Sequence, residues 1–306
     1  MESKKGFTLI ECFYYALSFH RFELIYIDSE KMEETSHNIK CVLITGGTSG
    51  LGLELVKLFH EKGFDVICTG RQPQNLPGYE KRFQFISIDF SDLAGTARTI
   101  YEICRTTRPD FVISNAGVLS PPGFTLTGDV FEYTFQVNFL AHLLVNEIIV
   151  RNNPGNFPLK IAAVTSPVYK MANSFPNWKC DIRNYRPIKS YSDSKLFLAM
   201  MGVHLAAKYP DKNLACLSID PGVFSSAIYR TQGRLFRLLY RFAAPFMRNP
   251  ANVAKVIYEM MVQADFSGRA IYNTRKRPEY LPEFDQVMIE LFWVQCNEML
   301  NQYYKL

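Results

Sequence analysis

Tyr191 and Lys195 stand four residues apart in Tyr191-Ser-Asp-Ser-Lys195, within a strongly helical pattern, so their side chains share one face. A tyrosine titrates near ~10 and is by itself a poor base at neutral pH. A neighbouring ammonium stabilises a phenolate and brings its titration toward the working range. The pair is therefore suited to giving and taking a proton. A second cluster, Thr45-Gly-Gly-Thr-Ser-Gly-Leu-Gly52, lies between an apolar run at 41–44 and a helical stretch at 50–62. Glycine lets the backbone approach a pyrophosphate closely, and the helix that follows offers unpaired N–H groups to the anion. The cluster reads as a dinucleotide cradle. It lacks the Gly-Lys-Ser/Thr of a nucleoside-triphosphate loop.

Both clusters need a scaffold, and the rest of the chain supplies one. Short apolar runs at 65–68, 83–88, 111–113, 160–164, 215–219 and 270–272 read as strands, with helical stretches at 93–104, 131–150 and 191–208. Strands alternating with helices imply right-handed crossovers and an α/β fold: a Rossmann-type, doubly wound parallel sheet with helices on both faces. No linker, repeat or low-complexity tract interrupts it. Residues 40–306 are expected to form one domain, with a lid at about 224–247 and a C-terminal helix at about 283–304. Residues 1–39 form an extension, and its apolar stretch at 7–19 reads either as an extra surface helix or as a peripheral membrane anchor.

Composition removes several other classes. The chain has 306 residues, 48% hydrophobic and 21% charged, enough to bury a large core. A net charge of +5 is too modest to call for nucleic acid as a partner. The seven cysteines include no C-x-x-C pair, and the five histidines form no metal-binding spacing, so no metal site is expected. Cys41, Cys68 and Cys216 sit in strand-like runs and read as buried free thiols of a reducing, cytoplasmic compartment. Contact with an endoplasmic-reticulum or lipid-droplet surface is the accompanying alternative.

The spacing Thr45-Gly-x-x-x-Gly-x-Gly52, followed by Tyr191-x-x-x-Lys195, resembles the short-chain dehydrogenase/reductase family in its single-domain branch, from about residue 40 to at least 268. The resemblance implies an oxidoreductase that interconverts a carbonyl and an alcohol, with Tyr191 as acid/base beside Lys195. It also implies Ser166 as a hydrogen-bond donor to the substrate oxygen and Asn138 as support for a water leading protons to Lys195. Thr165 is the chemical rival of Ser166. Thr45, Gly46, Thr48, Ser49, Gly50, Leu51 and Gly52 would line the cofactor's phosphates, and Tyr191 and Lys195 would also touch the cofactor. Asp89 matches the adenine contact, with helix capping near Ser91 as a competing role. Asn115-Ala116-Gly117 matches a motif that shapes the cleft. Pro221, Gly222 and Val223 match the turn beneath the nicotinamide, and Ser226 a carboxamide contact.

Cofactor choice is read at the end of the second strand. An NAD-selecting protein places a carboxylate there, which a 2′-phosphate would repel. Here Gly70 takes that place and Arg71 follows, so NADP(H) is the expected cofactor. The gap from Ser166 to Tyr191 is long and resembles that of retinol- and lipid-active members. Arg230, Arg234, Arg237 and Arg241 share a helical face opposite Leu235, Leu238, Leu239 and Phe242. That pattern suits either a substrate lid or contact with an anionic membrane. The expected partner is a hydrophobic carbonyl or alcohol. A homo-oligomer, an idle NADPH-binding regulator and a sugar-nucleotide epimerase are the other readings.

Overall fold

The computed structural model describes residues 39–73, 79, 81–172, 181–223, 248–262 and 271–305. The chain divides into Met1–Asn38 and Ile39–Leu306, and every described residue lies in the second unit. The N-terminal extension, residues 173–180 of the gap between Ser166 and Tyr191, Ser226 and the basic lid sequence lie outside the described residues.

β1 (Cys41–Thr45) and β4 (Phe111–Ser114) are buried along their whole length, as strands covered on both faces must be. β2 (Asp65–Gly70) and β3 (Phe83–Ser87) extend the sheet on one side. β5 (Leu159–Val164), β6 (Leu214–Asp220) and β7 (Ile271–Asn273) extend it on the other. These strands run parallel in the order β3-β2-β1-β4-β5-β6-β7. A short β8 (Pro278–Glu279), absent from the sequence reading, pairs antiparallel with β7. Strand order reverses between β1 and β4, which opens a crevice at their carboxyl ends.

Two apolar layers sandwich this sheet. On one face α1 (Gly50–Glu61) packs beside α6 (Pro250–Val262), with Phe59 edge-on to Tyr258 at 5.0 Å. The sequence reading passed over α6. On the other face lie α2 (Leu93–Thr106), α4 (Ala141–Asn152), α5 (Pro187–Lys208) and α7 (Gln286–Leu300). The fold is the doubly wound α/β architecture expected from the alternation of patterns. Cys41, Cys68 and Cys216 are buried and free, and burial pushes each thiol up to about 12, where it is inert.

Two helices differ from their expected form. The stretch read as one helix from 131 to 150 is a single turn, α3 (Tyr133–Phe135), running through a π turn at Gln136–Leu140 into α4. Helical spacing in the C-terminal stretch runs through Val287, Leu291 and Val294, yet these side chains are exposed. The opposite side of α7 faces the core. Phe292 stacks on Phe197 at 4.3 Å, and Trp293 lies flat on His204 at 3.9 Å. Two apolar stripes compete on this helix, and the larger aromatic area takes the interior. Its docking seals the outer side of α5, which is buried from Ser192 through Gly202.

Candidate functional site

The glycine turn is held from below by Thr45 and Asn115. The buried Thr45 hydroxyl donates to the Ile113 carbonyl at 3.3 Å and accepts from the N–H groups of Asn115 and Ala116 at 2.9 and 3.1 Å. Asn115 returns the contact, its Nδ2 donating to the carbonyls of Thr45 at 2.9 Å and Gly46 at 3.2 Å. β1 and β4 thus carry two loops clasped across the point where strand order reverses. Gly46 has φ of 66°, and Gly52 lies so close to it that a Cβ there would stand 2.2 Å from the Gly46 carbonyl oxygen. We therefore expect Gly52→Ala to cost about 1–3 kcal/mol by overpacking and to abolish nucleotide binding. A thermal melt and a binding titration check this, and an unchanged melt would contradict the close approach.

α5 brings the second cluster to the same crevice. Pro187 opens the helix at its first turn, where a missing N–H costs nothing, so Tyr191 sits in the second turn rather than at the start expected for it. Lys195 is one turn further and only 4% exposed. Its ammonium donates to the Val164 carbonyl at 3.2 Å, at the end of β5 and two residues before Ser166. A Cβ on Gly117 would stand 3.4 Å from Lys195 Nζ and 3.3 Å from Asn138 Oδ1, so the loop after β4 passes directly against both. Burial lowers the Lys195 pKa from 10.5 to about 8.

Asn138 lies in the π turn and is fully buried. Its side chain accepts from Val118 N–H at 2.7 Å and donates to the Val118 carbonyl at 2.9 Å and to Ser194 Oγ at 3.0 Å. Ser194 Oγ in turn donates to the Tyr191 carbonyl at 2.8 Å. The widened turn, the loop after β4 and α5 are thereby locked together; π turns recur at functional sites for this kind of re-aiming. Thr165, the rival of Ser166, uses its hydroxyl within the sheet, donating to the Ile219 carbonyl at 3.1 Å. Ser166 instead opens a 3-10 turn at Pro167–Met171, with Pro167 fitting its first position.

Sequence reasoning singled out neither Ser194 nor His142. His142 is fully buried one turn beyond Asn138, and its Nε2 donates to the Ala116 carbonyl at 2.9 Å. Burial, with Lys195 reinforcing it, lowers its pKa to about 3, so it stays neutral. The i, i+4 spacing from Asn138 was the available signal. Asp89 accepts from the Ser91 N–H at 2.9 Å and the Ser91 hydroxyl at 2.8 Å, so it holds the turn before α2. Gly222 takes φ of 72° in the turn after β6, and Val223 is exposed beside it. Arg71 is exposed at the end of β2, and a Cβ on Gly70 would meet Thr48 Cγ2 at 2.9 Å. Among the described residues no cluster could hold a metal ion, and no helix is long and apolar enough to cross a membrane.

A 3-oxoacyl-[acyl-carrier protein] reductase from Brucella melitensis in complex with NAD shares this fold, with a TM-score of 0.60 at 19% identity over 78% of this chain and 96% of its own. Human retinol dehydrogenase 13 is 22% identical over 286 residues, 86% of this chain and 85% of the relative. A WW domain-containing oxidoreductase of Drosophila melanogaster is 25% identical over 229 residues, 69% of this chain. The chain spans only 55% of that relative's length. The family model for short chain dehydrogenases matches residues 40–234, which takes in both the glycine turn and the Tyr191/Lys195 helix. The chain belongs to the short-chain dehydrogenase family of oxidoreductases.

Proposed function

We propose that the protein is an NADP(H)-dependent oxidoreductase that interconverts a carbonyl and an alcohol on a hydrophobic substrate. The observation that carries this reading is the buried Lys195 ammonium, set one helical turn from Tyr191 and against Gly117 of the clasped loops. An ammonium has three donors, and among the described residues its hydrogen bond runs to the Val164 carbonyl. The remaining donors suit ribose hydroxyls, and its charge stabilises a phenolate on Tyr191.

The residues present fit a dinucleotide. The cradle of Gly46 and Gly52 admits no side chain, and the α1 N-terminus behind it has no acidic residue in its first turn to repel phosphate. Bound there, the nicotinamide supplies or accepts the hydride. Tyr191 gives the proton to the carbonyl oxygen, or takes it from the alcohol, and Lys195 holds the phenol in the titration range that this requires. Ser166 orients the substrate oxygen. Asn138 keeps the loop after β4 in register with Lys195 and supports the water that returns the proton. Thr48, Ser49, Gly50 and Leu51 complete the phosphate cradle, while Asp89, Asn115, Ala116, Pro221, Gly222 and Val223 complete the cofactor cleft.

Arg71 supports the phosphorylated cofactor, since it is exposed at the end of β2 and its guanidinium can pair with a phosphate. A carboxylate at position 70 would also have to displace the Thr48 methyl, which a Cβ there would meet at 2.9 Å. Arg71→Ala is expected to raise KM for NADPH about 10–100-fold, the worth of a charge-assisted hydrogen bond, and to leave KM for NADH unchanged. Equal effects on both cofactors would remove the argument for NADP(H). A hydrophobic substrate is supported by the match over most of its length to a retinol dehydrogenase. The testing experiment is an NADPH-oxidation screen over lipid aldehydes and ketones. Binding of NADPH with no turnover across the panel would favour an idle regulatory protein.

A further inference from the structure

We infer that Glu279 is a positioning residue: from β8 it ties the turn that carries Ser166 to the end of β6 that carries Pro221 and Gly222. The inference rests on the roles proposed above for those residues, and its geometry is independent of them.

The aim of Glu279 is set by a short hairpin. Asn273 N–H donates to the Arg277 carbonyl at 3.0 Å, and Asn273 Oδ1 accepts from the N–H groups of Arg275 and Arg277 at 2.9 and 3.3 Å. Lys276 takes φ of 58° to close the turn. This brings β8 back on β7, with Glu279 opposite Ile271, while Asn273 pairs with Asp220 of β6. The side chain of Glu279 is 15% exposed and makes three bonds. Oε2 accepts from the Tyr169 hydroxyl at 3.1 Å. Oε1 accepts from Lys170 Nζ at 2.8 Å and from Asn273 Nδ2 at 3.2 Å.

The two ends of this tie are the two walls of the proposed site. Tyr169 and Lys170 belong to the 3-10 turn that starts from Ser166, and Tyr169 N–H donates to the Ser166 carbonyl at 3.0 Å. Tyr169 is fully buried, so its phenol requires an acceptor, and Glu279 is that acceptor. On the other side Asp220 is buried, and its Oδ1 accepts the Gly222 N–H at 2.8 Å, shaping the turn. Burial raises the Asp220 pKa; Gly222 and Lys170 oppose this, and the adjacent Glu279 carboxylate reinforces it. Burial also acts on Glu279, but Lys170, Asn273 and Tyr169 outweigh it and hold its pKa down. Asn273, which Glu279 holds through its side chain, is paired in register with Asp220, so a bond at one wall is transmitted to the other.

The test uses the full chain with NADPH, and with all-trans-retinal and decanal as probe carbonyls. Glu279→Ala should speed hydrogen exchange at the Tyr169, Ala172 and Gly222 amides together, by about tenfold, as a local opening does. It should lower kcat by about tenfold through misplacement of Ser166, with the Kd for NADPH within about twofold of the parent. Glu279→Gln keeps one acceptor oxygen but replaces the other, which now serves Lys170 and Asn273, with an amide N–H, and should recover kcat in part. Tyr169→Phe, which removes one bond from the opposite end, should give a weaker rise in the same amides if the alanine variant fails to fold. Exchange that rises at one wall alone, or at neither, overturns the inference. So does a glutamine variant as impaired as alanine. If the parent protein turns over neither probe, it is the enzyme reading that loses support, and the exchange data still decide the tie.

Discussion

Replacing Tyr191 with phenylalanine is expected to cut carbonyl turnover by about 10²–10⁴-fold, the usual worth of a positioned acid/base group, while NADPH binding persists. The change removes one oxygen and keeps the ring, so packing at this half-buried position is preserved. The backbone carbonyl of Tyr191, which accepts from Ser194 Oγ, is untouched, and with it the chain of bonds to Asn138. The loss should therefore appear in kcat, with little change in the melting temperature. Unchanged turnover would assign the proton transfer to another group and overturn the mechanism. Loss of NADPH binding as well would mean that the phenol serves the cofactor first.

The second large effect is on Lys195. Its pKa is lowered by burial, so the folded state disfavours the ammonium. Below about pH 8 the residue is charged both in the fold and in the unfolded chain, and the cost of burying that charge is fully present. Between about 8 and 10.5 the folded protein releases the proton before the unfolded chain does, and the cost is relieved. At ~1.4 kcal/mol per pKa unit this is roughly 3 kcal/mol in the apo-protein, offset in part by the bond to Val164. Lys195→Met should then make the apo-protein more stable than the parent at neutral pH and abolish turnover. The stability gain should shrink as pH rises toward 10.5. Denaturant melts of both proteins across pH 6–10.5 would test this. A difference that does not vary with pH would show that Lys195 is not a strained buried cation.

Some of this was legible in the chain because it depends on local rules. A β1 with no polar interruption must be covered on both faces, and glycines between strand and helix must be there for backbone approach. Tyr191 and Lys195 at four residues apart must share a helix face. The π turn was not legible, because its cause is tertiary: Asn138 bonds to both backbone groups of Val118, twenty residues away, and the helix widens to let it. The orientation of α7 was not legible either. Its sequence carries two apolar stripes, and only the aromatic pocket of Phe139 and Phe197 selects Phe292 over Leu291.

By itself, then, the sequence determined the sheet, the glycine turn after β1 and the shared helix face of Tyr191 and Lys195, since hydrophobic period and residue spacing act over a few turns of chain. The tertiary structure decided what surrounds them. It buried Lys195 deeply enough to lower its pKa, enlisted Thr165 in the sheet and left Ser166 at the turn, and set Glu279 between two walls of the crevice. Those outcomes depend on which distant groups arrive at hydrogen-bond distance, and no local pattern encodes that arrival.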